Sequence, residues 1–203
     1  MSTIKVSLVR IPTIIDVSAS TAPICPPIGL AYIKSIVNQF TNDIQVIDSV
    51  GNYTDTRSFD VGGRSVTLLG QTTGEIASLL FEDSDIVMIS CMFSQDWNYA
   101  KNVIKDVRLK CPETLIIAGG EHITALPEYS MESAPEIDIC VLGEGERTIK
   151  NILEDIKTNG TISKSLPGTC MRSENGKIFL NKKQLKDLNL LKHLYFLNQN
   201  LSG

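Results

Sequence analysis

The sequence lacks any apolar run approaching the roughly 20 residues needed to cross a bilayer; its longest candidates, at residues 4–9, 86–89 and 115–118, are a third of that or less. No membrane-spanning segment is expected, and no membrane partner. It also lacks an excess of positive charge. Nineteen basic residues face 23 acidic ones, and no Lys or Arg run is long enough to track phosphates, so nucleic acid is not expected as a partner. Cysteine is scarce and scattered: Cys25, Cys91, Cys111, Cys140 and Cys170 are odd in number and contain no C-x-x-C pair. That pattern fits reduced thiols, with Cys91, Cys140 and Cys170 as small hydrophobes in or beside apolar stretches. It supplies no clustered zinc or iron–sulfur ligand set, so no protein metal site is expected. There are two histidines, His122 and His193, and neither a G-x-G-x-x-G nor a P-loop pattern, which argues against a nucleotide-binding enzyme. The first residues, Met1-Ser2-Thr3-Ile4-Lys5, lack the charged and apolar regions of a secretory signal. A cytoplasmic location is the expectation.

What is present is a repeated alternation of short apolar runs and longer stretches of helical period. Runs at 4–9, 44–48, 85–90, 114–118 and 137–142 read as strands. Between them, helical spacing predicts helices over 28–40, 71–81, 97–110 and 146–157. Strands this short and this apolar are buried on both faces, as in parallel sheets covered by helices. With right-handed crossovers, the expectation is an α/β, doubly wound, five-stranded parallel sheet of flavodoxin-like or Rossmann-like type. Its expected strand order is 2-1-3-4-5. The first connection is a Pro-rich loop, and the stretch containing Gly51, Gly62 and Gly63 reads as another loop. Past Gly160, Glu174-Asn175-Gly176 between apolar runs signals a hairpin over 169–180, followed by a Leu-rich tail at 185–197. The expected organisation is a core domain at 1–160 and a hairpin and linker at 161–203.

In such sheets ligands bind outside the carboxyl ends of the strands at the switch point, which directs attention to four loops. Ser90-Cys91-Met92-Phe93-Ser94-Gln95-Asp96-Trp97 offers small hydroxyls, a thioether, aromatics and an amide for a broad, mostly apolar ligand. Asp96 is equally suited to cap the next helix. Gly119-Gly120-Glu121-His122 permits close backbone approach or a positive-φ turn. Gly143-Glu144-Gly145-Glu146 offers glycines for approach and carboxylates to accept hydrogen bonds; its acidity also suits a helix N-terminus and disfavours a phosphate cradle. In the first loop Pro23 to Leu30 forms either a rigid wall or a helix start. His122 has no identifiable carboxylate or thiol partner in sequence, so a ligand-contact or structural hydrogen bond is its expected role rather than catalysis.

Taken in order, Pro26-Pro27-Ile28-Gly29-Leu30-Ala31-Tyr32-Ile33, Asp85 to Ser90, Gly119-Gly120-Glu121-His122 to Glu128 and Gly143-Glu144-Gly145-Glu146 resemble the N-terminal cobalamin-binding domain of cobalamin-dependent radical-SAM proteins. The resemblance extends from about residue 3 to residue 190. It implies a B12-binding fold whose cofactor sits across the strand ends. Ser90, Gly119 and Gly120 would line the channel for the nucleotide tail, with Glu121, His122, Gly143, Glu144 and Gly145 beside it. The segment Met92 to Gln95, with Cys91 before it, would approach the corrin ring. No residue is assigned a catalytic role.

Two departures shape the expectation. The D-x-H-x-x-G motif that ligates cobalt through histidine is absent, so cobalamin would bind base-off without that ligand. The C-x-x-x-C-x-x-C motif for a [4Fe–4S] cluster and S-adenosylmethionine is also absent. Those groups would belong to a separate radical-SAM catalytic domain, in cis or in trans. The chain is then a module cut from a longer enzyme such as a methyltransferase, or a stand-alone one, and is not catalytic alone. The alternative reading is a cofactor-free sensor or protein-interaction domain of the same fold.

Overall fold

The computed structural model describes residues 4–16, 25–52, 56–61 and 63–182. The first half of the chain runs β1 (Val6–Arg10), β2 (Thr13–Asp16), α1 (Ile28–Val37), β3 (Ile44–Asp48), β4 (Arg57–Val61), β5 (Arg64–Leu69), α2 (Thr73–Leu79) and β6 (Ile86–Ser90). It continues through α3 (Trp97–Lys110), β7 (Leu115–Gly119), α4 (Glu121–Ala125), α5 (Pro127–Ser133), β8 (Ile139–Val141), α6 (Glu146–Asn159), β9 (Thr169–Arg172) and β10 (Ile178–Asn181). The five apolar runs form parallel neighbours in the order β3-β1-β6-β7-β8, which is the doubly wound order expected from the sequence. Alternate strand residues feed two cores. Val9, Ile89, Ala118 and Cys140 pack under α2, α3 and α5 beside Ile76, Ile104 and Met131. Leu8, Met88, Ile117 and Val141 pack under α1 and α6 beside Leu30, Ile149 and Leu153.

Three features differ from the sequence expectation. The hairpin does not hang from the core: β9 pairs antiparallel with β8, Cys140 opposite Cys170, so the sheet has seven strands rather than five. The stretch read as a loop around Gly62 and Gly63 is instead the antiparallel pair β4 and β5, to which β2, from the first loop, adds as a third strand. A Gly-Gly pair between alternating residues is a two-residue hairpin signal; Gly63 has a φ of 79°. The polar content of Arg57-Ser58-Phe59-Asp60 masks that alternation, because β4 lies on the surface. Finally, α4 and α5 fill the β7–β8 connection. At five and seven residues they are too short to show helical periodicity. The Leu-rich tail lies outside the described residues.

Helix ends follow local chemistry. Thr72 and Glu75 form a reciprocal capping box that starts α2. Gly160, at φ 67°, ends α6 in the left-handed conformation. Asp96 precedes α3, but its carboxylate makes no cap bond. It accepts instead from Thr13 Oγ1 at 2.9 Å and Ile14 N at 2.8 Å, while Gln95 Nε2 donates to Ile14 O at 2.7 Å. The two side chains thus pair with the outer edge of β2 and tie the small sheet to the loop after β6. Among the described residues no helix is long and apolar enough to cross a membrane.

Candidate cofactor site at the strand ends

At the carboxyl ends of the parallel strands lies a cavity of about 380 Å³, within the usual range for small-molecule sites. Its position follows from strand register. Arg10, Ser90 and Gly119 are aligned across β1, β6 and β7, one step beyond Leu8, Met88 and Ile117 on the same face. Ser90 and Gly119 of the outer row stand at the mouth, and the inner row forms the floor. Leu30 and Ile33 from α1 and Ile149 from α6 close the side opposite the sheet.

The predicted residues divide between the cavity and its surroundings. Ser90, Met92, Gly119 and Gly120 line it, as do Glu121, Gly143, Glu144 and Gly145. Ser90 Oγ has no hydrogen-bond partner among the described residues. Thr124 Oγ1 donates to Gly120 O at 3.0 Å and accepts from Gly143 N at 2.9 Å. That one hydroxyl fastens the two glycine loops to each other at the mouth.

The two adjacent glycines do different jobs. A Cβ at Gly119 would meet only Val141 O, at 3.8 Å, so the missing side chain is open space belonging to the cavity. At Gly120, φ 107° and ψ 178° fall in a region essentially reserved for glycine. A Cβ there would collide with the Cys91 backbone, its carbonyl carbon 2.8 Å away. Gly119 therefore supplies room, and Gly120 supplies the backbone path beneath the β6 loop.

Five predicted residues do not line the cavity. Cys91 is buried on the opposite face of the sheet, where burial, reinforced by Asp96, pushes its thiol pKa up to about 12. Phe93 stands 56% exposed, near the 53% exposed Met92 in sequence. Gln95 is engaged with β2. Ser94 Oγ lies 2.9 Å from His122 Nδ1, and His122 is stacked on Trp97 with ring centroids 4.5 Å apart. That histidine is only 3% exposed, and its buried Nε2 has no hydrogen-bond partner among the described residues. Burial lowers its pKa from 6.5, favouring the neutral ring. Among the described residues, no group of three or more His, Cys, Asp or Glu side chains is placed to hold a metal ion.

Sequence reasoning passed over the apolar walls. Leu8, Met88, Ile117 and Val141 read as ordinary core residues, as do Ile33 and Ile149, and Thr124 carried no signal. Gly29 and Leu30 were visible as a wall or helix start, and they line the cavity. Only the packing of α1 and α6 against the sheet distinguishes a filled core position from one facing empty volume.

A doubly wound sheet with a cavity at its strand ends defines a ligand-binding α/β domain, and comparison with known proteins specifies which. A family model described as B12 binding domain matches residues 14–153, and the chain belongs to that family. An uncharacterized methyltransferase of Pyrococcus horikoshii, PH0819, is 30% identical over 179 residues, covering 88% of this chain and 34% of its own. Cytidylyl-2-hydroxyethylphosphonate methyltransferase of Streptomyces wedmorensis is 27% identical over 155 residues, 75% of this chain and 28% of that protein. The cobalamin-dependent radical SAM methyltransferase TokK of Streptomyces tokunonensis is 28% identical over 92 residues, 44% of this chain and 13% of that protein. The chain therefore spans about a third or less of the length of these relatives. Among solved structures, the cobalamin-dependent S-adenosylmethionine radical enzyme OxsB, with aqua-cobalamin and S-adenosylmethionine bound, superimposes with a TM-score of 0.60 at 18% identity. The match covers 91% of this chain and 23% of that one, and shows the shared fold.

The residues present fit a long, flat cofactor with a tail. Gly119 leaves a cradle that any larger side chain would fill, and Ser90 beside it offers a hydroxyl with no hydrogen-bond partner among the described residues.

Proposed function

We propose that this chain is the cobalamin-holding module of a radical-SAM methyltransferase, with the nucleotide tail in the cavity and the corrin ring across the strand ends. The observation that carries this reading is the cavity opened by Gly119 between Ser90 and the Gly143 loop, in a member of the B12-binding domain family. Cobalamin, when bound, supplies a cobalt that accepts and hands on a methyl group. The protein's part is to bind and orient. Ser90 Oγ donates to or accepts from the tail, Gly119 and Gly120 let the backbone come close, and Glu121 and Glu144 accept from the amide groups at the ring edge. Met92 and Phe93 offer exposed apolar surface to the ring. The cofactor binds base-off: D-x-H-x-x-G is missing, and His122 is held behind Ser94 and Trp97, away from the cavity.

The [4Fe–4S] cluster and S-adenosylmethionine belong to a radical-SAM catalytic domain, in cis or in trans. The cofactor domain is residues 1–160 with the β9–β10 hairpin added to its sheet edge, and the remainder of 161–203 is the linker toward that partner. The chain alone turns over no substrate, and the setting is cytoplasmic. Methyltransferase relatives favour methyl transfer as the reaction class. The test is a visible-absorption titration of the purified chain with hydroxocobalamin or methylcobalamin, followed by gel filtration. A base-off spectrum and co-elution are expected. An unchanged base-on spectrum with no cobalamin retained would overturn the reading in favour of a cofactor-free interaction domain.

A further inference from the structure

Among the described residues, the polar side chains that line the cavity, Ser90, Glu121, Thr124, Glu144 and Glu146, all stand at or beyond the carboxyl ends of the strands, at its mouth. Inward from Ser90 and Gly119, the described surface consists of Leu8, Met88 and Ile117 from the sheet and Leu30, Ile33 and Ile149 from the helices. The nearest deeper polar side chain on β1, Ser7, faces the other side of the sheet, its Oγ 2.8 Å from Ser84 Oγ. The Thr124 hydroxyl is committed to Gly120 and Gly143. The strand backbone at this depth is spent on the parallel ladder.

Resting on the cobalamin reading above, we infer that this floor selects among cobamides by the base at the end of the nucleotide tail, accepting a benzimidazole or phenol and rejecting a purine. The distal ring of a benzimidazole is a carbocycle, and so is the ring of a phenol linked through its oxygen. Either presents only carbon to Met88, Ile117 and Ile149. The distal ring of adenine carries an exocyclic amine and ring nitrogens. In this cavity they lose water and gain no partner. Buried donors and acceptors left unpaired cost enough to weaken binding about tenfold or more. A base held this way is inserted in protein and off the cobalt, so its ability to ligate cobalt is irrelevant to retention.

The experiment is equilibrium dialysis of the purified 203-residue chain against three cobamides, with bound cofactor read from absorbance: benzimidazolyl (cobalamin itself), cresolyl and adeninyl. The benzimidazolyl and cresolyl forms should bind alike and the adeninyl form about tenfold or more weaker. Equal binding of all three, or tighter binding of the adeninyl form, overturns the selectivity while leaving the cofactor reading in place. Failure of all three overturns the cofactor reading itself. A second arm uses Ile33→Gln, at a partly buried helix position, to place an amide in the wall. The ratio of benzimidazolyl to adeninyl affinity should shrink severalfold in this variant. An unchanged ratio would show that α1 does not border the base.

Discussion

The Cβ of a leucine at position 119 would meet only Val141 O, at 3.8 Å, and point into the cavity, whereas any Cβ at 120 meets the Cys91 backbone. Adjacent glycines that look identical in the sequence therefore predict opposite phenotypes. Gly119→Leu is expected to fold with near-normal thermal stability and to retain no cobalamin on gel filtration, because the cavity proposed to take the tail is filled. Gly120→Ala is expected to lose on the order of 1–3 kcal/mol of stability from its backbone conformation alone, and more from the collision with Cys91. Denaturant unfolding and cofactor retention, measured side by side on both variants, check the pair. The sequence shows that two small residues end the fourth apolar run. Which of them makes room is decided by the β6 loop crossing beneath Gly120, a contact between segments about 30 residues apart.

The loop after β6 is held at the level of elements by an arrangement that local pattern does not reveal. Asp96 sits where a helix cap belongs, yet α3 starts without it, and the carboxylate pairs with Thr13 and Ile14 of β2 instead. Removing it leaves the Ile14 amide facing a buried gap. Asp96→Ala is expected to cost about 1–3 kcal/mol and to speed hydrogen exchange at Ile14, while Asp96→Asn, which keeps an acceptor, should cost less. Unaltered exchange at Ile14 in Asp96→Ala would show that β5 and Gln95 hold β2 without the carboxylate. The small sheet is legible only in part. The Gly-Gly pair at 62–63 carries a hairpin signal in the sequence, but surface strands with polar residues lose the apolar alternation that identifies buried ones. The parallel strands suffer no such loss, because burial on both faces writes them as continuous apolar runs.

For the whole molecule, pH dependence of stability tests how deeply His122 is built into the fold. Its folded pKa lies below 6.5 through burial, so below that pH the unfolded chain binds a proton the folded one refuses. The stabilising contribution is complete above pH 6.5 and is lost as pH falls from 6.5 through the lowered folded value. The wild-type unfolding free energy should therefore decline over this window. His122→Phe, which keeps a ring against Trp97 and carries no titratable group, should flatten the decline. A parallel decline in the variant would assign it to other groups. The same burial that shapes this profile removes His122 from the cavity. It turns a residue that looks in sequence like a ligand contact into a support for the Ser94 and Trp97 side of the β6 loop.

The chain order of apolar runs and glycine-terminated strand ends determined the five parallel strands, their order and the edge at which the cavity lies. Each of those signals is local: a buried parallel strand needs an unbroken apolar run, and close approach at its end needs glycine. The motif set, read in order, also pointed to the B12-binding family. Tertiary structure decided the rest. It added β9 and β10 to the sheet edge, built a second small sheet from two loops, and sorted thirteen candidate site residues into eight that line the cavity and five that do not. It also showed Leu8, Met88, Ile117 and Ile149 to be cavity walls. An apolar residue is written the same way whether it touches another side chain or an empty volume, and only the distance between packed layers tells the two apart.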